Sequence, residues 1–137
     1  MTNFREGSTR LSFPSGTDFT SSGTTFNAPY LVGKLNASKQ WITVTATTDP
    51  AVGVLYNCPD ANGTADVLSI NQQGTGKITA GGTIALNALI TFNSSGQAVA
   101  ATQTTAGSQP TVLVIGRALE AGVSGQVIEY QSLNFLY

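Results

Sequence analysis

The chain has 137 residues and a mass of 14.1 kDa, which is the size of one domain with a single sizeable core. Charged residues make up only 9% of it, against roughly 25% in ordinary soluble domains, so Thr, Ser, Asn and Gln must supply most of the polar surface. The net charge of -1 offers no counterion-release drive toward nucleic acid, and the lack of histidine excludes Ser-His-Asp and Cys-His catalysis and His-ligated zinc.

Residues 1–28 are Ser/Thr/Gly-rich, with apolar side chains spaced singly at Phe4, Leu11, Phe13, Phe19 and Phe26. Ordering a residue costs about 1 to 2 kcal/mol, and burying an aromatic side chain returns about 1.5 to 3. Such a segment reads as an extended N-terminal arm that orders against a partner surface. The start, Met1 to Glu6, has neither the apolar run nor the cleavage site of a secretory signal. The expectation is a protein made in the host cytoplasm, with no membrane partner.

From residue 29 to 137 the pattern becomes short apolar or alternating runs broken by Gly, Asn, Asp and Pro, the mark of a single β domain. The predicted strands are Tyr30–Leu35, Trp41–Ala46, Val52–Tyr56, Ala65–Ile70, Thr83–Leu86, Leu89–Phe92, Val112–Ala118 and Gln126–Tyr130, with Leu133–Tyr137 as a further candidate. Asn93 to Gln97 (Asn-Ser-Ser-Gly-Gln) predicts a hairpin turn, since Asn tolerates and Gly favours positive φ. No window sustains helical periodicity. The fold class is all-β, a small antiparallel β-barrel or jelly-roll-like sandwich. Two segments resemble each other: Val52-Gly53-Val54-Leu55 followed by a unit at Gly63, and Ile115-Gly116-Arg117-Ala118-Leu119 followed by one at Gly125. Both an internal duplication and coincidence account for two short matches.

Chemistry finds little purchase in this sequence. The carboxylates Glu6, Asp18, Asp49, Asp60, Asp66, Glu120 and Glu129 are scattered through predicted turns, which suits solvation better than paired acid–base work. Asp60 to Asp66 is oxygen-rich but lacks the distal bidentate Glu and flanking helices of a calcium loop, and Asx turns explain its composition. Gly74-Thr75-Gly76-Lys77 lacks the context of a phosphate loop. The single Cys58 forms no internal disulfide and reads as an ordinary small buried residue. The basic residues Arg5, Arg10, Lys34, Lys39, Lys77 and Arg117 are too dispersed for a nucleic-acid footprint. The expectation is a protein that is no enzyme, with no catalytic residues, no metal and no cofactor. The closing run Leu133-Asn134-Phe135-Leu136-Tyr137 is too apolar for a frayed end and predicts burial against a second subunit.

The string Gly53-Val54-Leu55-Tyr56-Asn57-Cys58-Pro59, continuing through Gly63-Thr64-Ala65-Asp66-Val67, resembles a stretch common in small capsid cement (decoration) proteins of tailed phages. Lys77 to Ile84, Gly96 to Ala101, Gly116 to Ala121 and Gly125 to Ile128 follow in the same order, so the likeness spans about the last two-thirds of the chain. It implies a β-barrel-like homotrimer on the outer capsid surface, bridging and stabilising neighbouring major capsid proteins. In that reading Phe4, Leu11, Phe13, Phe19, Phe26, Phe135 and Tyr137 are the partner-binding residues. The arm from Met1 to Ala28 is longer than compact members need, and Cys58 stands where a polar residue is expected. The alternative is a phage fibre or adhesin module that recognises a host glycan.

Overall fold

A computed structural model describes residues 10–20, 29–71 and 74–137. Among them the chain forms ten strands and no helix: β1 (Arg10–Pro14), β2 (Val32–Leu35), β3 (Trp41–Thr43), β4 (Gly53–Leu55), β5 (Thr64–Ser69), β6 (Thr75–Thr79), β7 (Leu89–Phe92), β8 (Ala98–Ala100), β9 (Leu113–Ala118) and β10 (Val127–Leu136). They make two antiparallel five-stranded sheets in a sandwich-like, all-β fold, with no closed barrel.

The two sheets have the same plan. Their strand orders are β1-β5-β4-β2-β3 and β6-β10-β9-β7-β8, so each strand of the first sheet has a counterpart five strands later. The loops agree bond for bond. Gly16 N–H donates to Trp41 O at 2.8 Å as Gly81 does to Ala98 O at 2.7 Å, and Phe19 N–H donates to Pro59 O as Ile84 does to Gly122 O, both at 2.8 Å. The left-handed residues agree as well: Tyr30 with Asn87 (φ 65° and 70°), Lys39 with Gly96 (62° and 76°), and Asn62 with Gly125 (64° and 89°). The chain is thus a tandem repeat, and Gly53 and Gly116, which drew notice in the sequence, occupy equivalent places.

The β2–β3 and β7–β8 hairpins show how composition makes this plan. In Asn93 to Gln97 the Asn93 side-chain oxygen accepts from Ser95 N–H at 2.9 Å and Gln97 N–H at 3.0 Å. In Asn36 to Gln40 the Asn36 oxygen accepts from Ser38 and Gln40 N–H at the same distances. Asn therefore satisfies backbone donors that a tight turn leaves unpaired.

Each repeat closes on its own apolar residues, and the two then share a core. Phe19, Trp41, Leu55, Ala65 and Val67 form one cluster within the first repeat, flanked by Leu11, Phe13, Leu35 and Cys58. Ile78, Ile84, Ile90, Phe92, Ile115, Ile128 and Tyr130 of the second repeat pack with Val32, Val44 and Val54 of the first. Equivalent positions trade volume. Gly33 lies under Trp41, where an added Cβ would sit 2.0 Å from Cζ2, while the counterparts are Ile90 and Ala98.

Several strands differ from the sequence expectation. Thr83–Leu86 is no strand, since Ile84 makes only an isolated bridge with Gly122. Leu133–Tyr137 is the continuation of β10 past an irregularity between Ser132 and Phe135. Arg10–Pro14, expected in an arm, is β1, paired along its length with β5. β6 and β8 had no predicted strand, because Gly, Thr and Ala carry weak strand signals until neighbours pair with them. Cys58 is half-buried rather than sealed in the core.

Candidate interaction surfaces

The sequence assigned partner binding to seven residues, and the structure distributes them differently. Phe19 is wholly buried at the end of the first repeat's core, 5.6 Å from Trp41 between ring centroids. Leu11 and Phe13 pack against the same cluster. Phe19 is thus occupied by the chain's own fold, while Leu11 and Phe13 are half-buried beside it. Phe4 and Phe26 lie outside the described residues. Phe135 and Tyr137 meet edge to face at 6.1 Å. Tyr137 is tethered where Thr104 donates through N–H and Oγ1 to its carbonyl oxygen, yet Phe135 and Leu136 remain exposed.

Sequence reading missed a more telling distribution. Among the described residues, the exposed large apolar side chains are Leu86, Leu119, Val123, Val127, Phe135 and Leu136, and all six belong to the second repeat. Val127 follows from strand alternation, because Ile128 and Tyr130 point inward and leave 127, 129 and 131 facing out. Leu119 pairs through its N–H with Glu129 O at 2.9 Å, which brings it beside the same outward row. The first repeat carries Tyr56 and Thr64 at the positions of Leu119 and Val127.

The matching face of the first repeat is covered in part, with Thr64 at the Val127 position still exposed. Val32, Val44 and Val54 are buried against the second repeat. Tyr30 O accepts from Thr79 N–H at 2.9 Å, Gly96 O accepts from Val32 N–H at 2.8 Å, and the Tyr56 hydroxyl accepts from Lys77 N–H. The outward N–H groups of Lys77 and Thr79 on the β6 edge are therefore paired, which protects that part of an edge otherwise open to strand addition. The Tyr30 ring packs edge to face on Tyr56 at 5.0 Å, and the Arg10 guanidinium lies 4.7 Å from the Tyr56 ring centre while bonding Asp66 at 2.7 Å. Burial pushes the Tyr56 phenol above its ordinary value.

The remaining polar groups hold loops. The Asp49 carboxylate accepts from Thr45 and Ala46 N–H and pairs with Lys34 at 2.8 Å, and the Lys34 bond, with the Thr45 N–H next, holds its pKa down to about 2. Gly63 N–H donates to Asp60 O, and Asn62 is left-handed, so the oxygen-rich stretch is a turn. Gly74 to Lys77 leads into β6 rather than into a helix. Among the described residues no three His, Cys, Asp or Glu side chains gather as a metal cluster. A shallow depression of about 360 Å3 lies between Thr47, Thr48, Phe92, Val99, Thr111 and Leu113, a hydroxyl rim over an apolar floor.

The class this defines is a β-sandwich protein built from two copies of one five-stranded unit, with large apolar side chains exposed, among the described residues, on one copy alone. A solved structure of similar fold is the head fiber gp8.5 N base of bacteriophage phi29, with a TM-score of 0.61 over 90% of this chain and 92% of that one. The two sequences are 16% identical, so the likeness is one of fold. No protein-family model matches the chain. No curated protein matches it either.

Proposed function

We propose that the chain is a non-enzymatic structural protein of a phage head, which binds the outer capsid surface and bridges neighbouring major capsid proteins as a cement protein. The observation that carries this reading is the confinement of exposed large apolar side chains, among the described residues, to the second repeat. A monomer in water gains nothing from Leu86 at 57% exposure or Val127 at 45%, whereas a partner that covers them gains roughly 25 cal/mol per Å2. The fold shared with a phage head protein supports the setting. The resemblance of the motif order from Gly53 to Ile128 to that of cement proteins supports the role.

In this reading Leu86, Val123 and Val127 meet the capsid, and Phe135, Leu136 and Tyr137 meet a second subunit around the threefold axis of a homotrimer. Three modest capsid contacts on one rigid trimer then act at high effective concentration. The test is occupancy on undecorated capsids. Leu86→Ser with Val127→Ser should lower occupancy at least tenfold while the trimer persists, and Phe135→Ser with Leu136→Ser should give monomers. Unchanged occupancy in the first variant removes the capsid assignment.

The likeness in fold to a head fiber base favours a second reading, the base of a head fibre that presents a fibre or adhesin module to a host glycan. Retention on host envelope material, with no stiffening of capsids against heat, distinguishes that role from cement.

A further inference from the structure

The tandem repeat poses a problem of assembly. A face of the first repeat binds the leading edge of the second, and a chain that kept both surfaces unchanged in both repeats would bind further copies of itself head to tail, as an open filament. Each part of the internal contact can be compared with its counterpart.

On the receiving side, Tyr30 O accepts from Thr79 N–H, and the equivalent carbonyl is that of Asn87. Asn87 O already accepts one bond from within the chain, since Arg117 Nη1 donates to it at 2.9 Å and the long side chain lies across it. Arg117 itself stands where the first repeat has Val54, which is 2% exposed against the second repeat. A guanidinium there would have to be desolvated for another copy to dock. Leu119 replaces Tyr56, so the hydroxyl that accepts from Lys77 N–H is missing.

On the leading side, the donor Thr79 corresponds to Pro14, which has no N–H, and proline on an edge strand blocks pairing. Gly96 corresponds to Lys39. An added Cβ at Gly96 would lie 2.5 Å from Val32 O, so a side chain there prevents the approach that lets Gly96 O accept from Val32 N–H.

We propose that the chain closes its own repeat interface to further copies, with Arg117 and Leu119 capping the receiving face and Pro14 and Lys39 capping the leading edge. The occupant excluded is a second copy of this chain in the head-to-tail register of its own two repeats. Contacts on other surfaces, including those of a closed trimer, are untouched, and the inference stands whether or not the protein binds capsids.

Two variants test it. R117V with L119Y restores the receiving face alone, and P14T with K39G restores the leading edge alone. Each should sediment as the unaltered protein does, and an equimolar mixture should give a larger mixed species in sedimentation velocity. A mixture of folded variants, checked by circular dichroism, that sediments as the sum of its parts overturns the proposal. If P14T with K39G does not fold, P14A with K39G, which also restores the N–H, serves as the leading partner, and absence of a mixed species then overturns it equally. Cross-links in the unaltered protein joining residues 12–14 of one copy to 87–89 of another also overturn it.

Discussion

The first repeat buries the part of its outer face around Val32, Val44 and Val54 and the second leaves the same part open, although their backbones follow one hydrogen-bond plan. Val54 and Tyr56 in one become Arg117 and Leu119 in the other, and Gly33 with Trp41 becomes Ile90 with Ala98. What the pair teaches is that strand order and turns tolerate wholesale exchange of side chains, provided that volumes balance inside and polar groups keep partners. Which surface is an interface is decided by a few side chains laid over the shared frame.

The volume exchange gives the largest test. W41A should cost about 3 to 5 kcal/mol, because a fully buried indole leaves a cavity. G33I should cost at least as much, with its Cβ placed on the Trp41 ring. The double variant G33I/W41A recreates the second repeat's pair and should recover about 2 kcal/mol or more of the summed loss. Urea denaturation followed by far-ultraviolet circular dichroism reads all three, and strictly additive losses would show that the pairs do not exchange volume.

The turns give the next effect. G96K installs the first repeat's residue in the second and should cost about 1 to 3 kcal/mol, from a Cβ pressed on Val32 O and a side chain at φ 76°. The reverse change, K39G, should lie within about 1 kcal/mol of neutral, since Lys39 is exposed and its φ of 62° suits glycine better. Equal melting shifts for the two would contradict the claim that only Gly96 sits in an interface.

A glycine pair should behave alike in both repeats. G53A and G116A each place a Cβ against backbone oxygen, at 2.2 Å from Leu68 O and 2.5 Å from Gln131 O, and each should lose about 1 to 3 kcal/mol. A difference much beyond about 1 kcal/mol in their denaturation midpoints would mean that the sheets do not yield equally.

Acid should produce the smallest effect, and only through the first repeat. The Asp49 pKa is depressed to about 2 in the folded chain, so its contribution is present above the ordinary carboxylate range and is lost as pH falls toward 2. The longer β8–β9 loop is instead held by neutral groups, Thr104 Oγ1 accepting from Thr111 N–H and donating to Tyr137 O. D49N should therefore flatten the fall in melting temperature between pH 5 and pH 2. An unchanged acid slope would detach that loop from the titration.

Much of this was legible beforehand. Alternation at Trp41 to Thr45 and valine-rich runs around Val54, Val67 and Val114 marked strands, because a half-buried sheet imposes a period of two. Asn93 to Gln97 marked its turn through the φ that Gly96 adopts. The arm misled because Leu11, Phe13 and Phe19 stand singly among polar residues, which is also how an edge strand with one buried face reads. Of the exposed apolar residues, Phe135 was read as facing a partner, while Leu86, Leu119, Val123 and Val127 passed as ordinary strand and turn residues.

The one-dimensional pattern of this chain determines an all-β fold, its turns and a shortage of reactive groups, because these depend on local periodicity and composition. A faint echo at Gly53 and Gly116 hinted at duplication, but the repeat became definite only with long-range pairing, since its identity lies in hydrogen bonds between strands distant in the chain. Tertiary structure alone decided which copy of a shared face is covered. Burial is a property of what lies opposite a side chain, and no neighbour along the backbone specifies that.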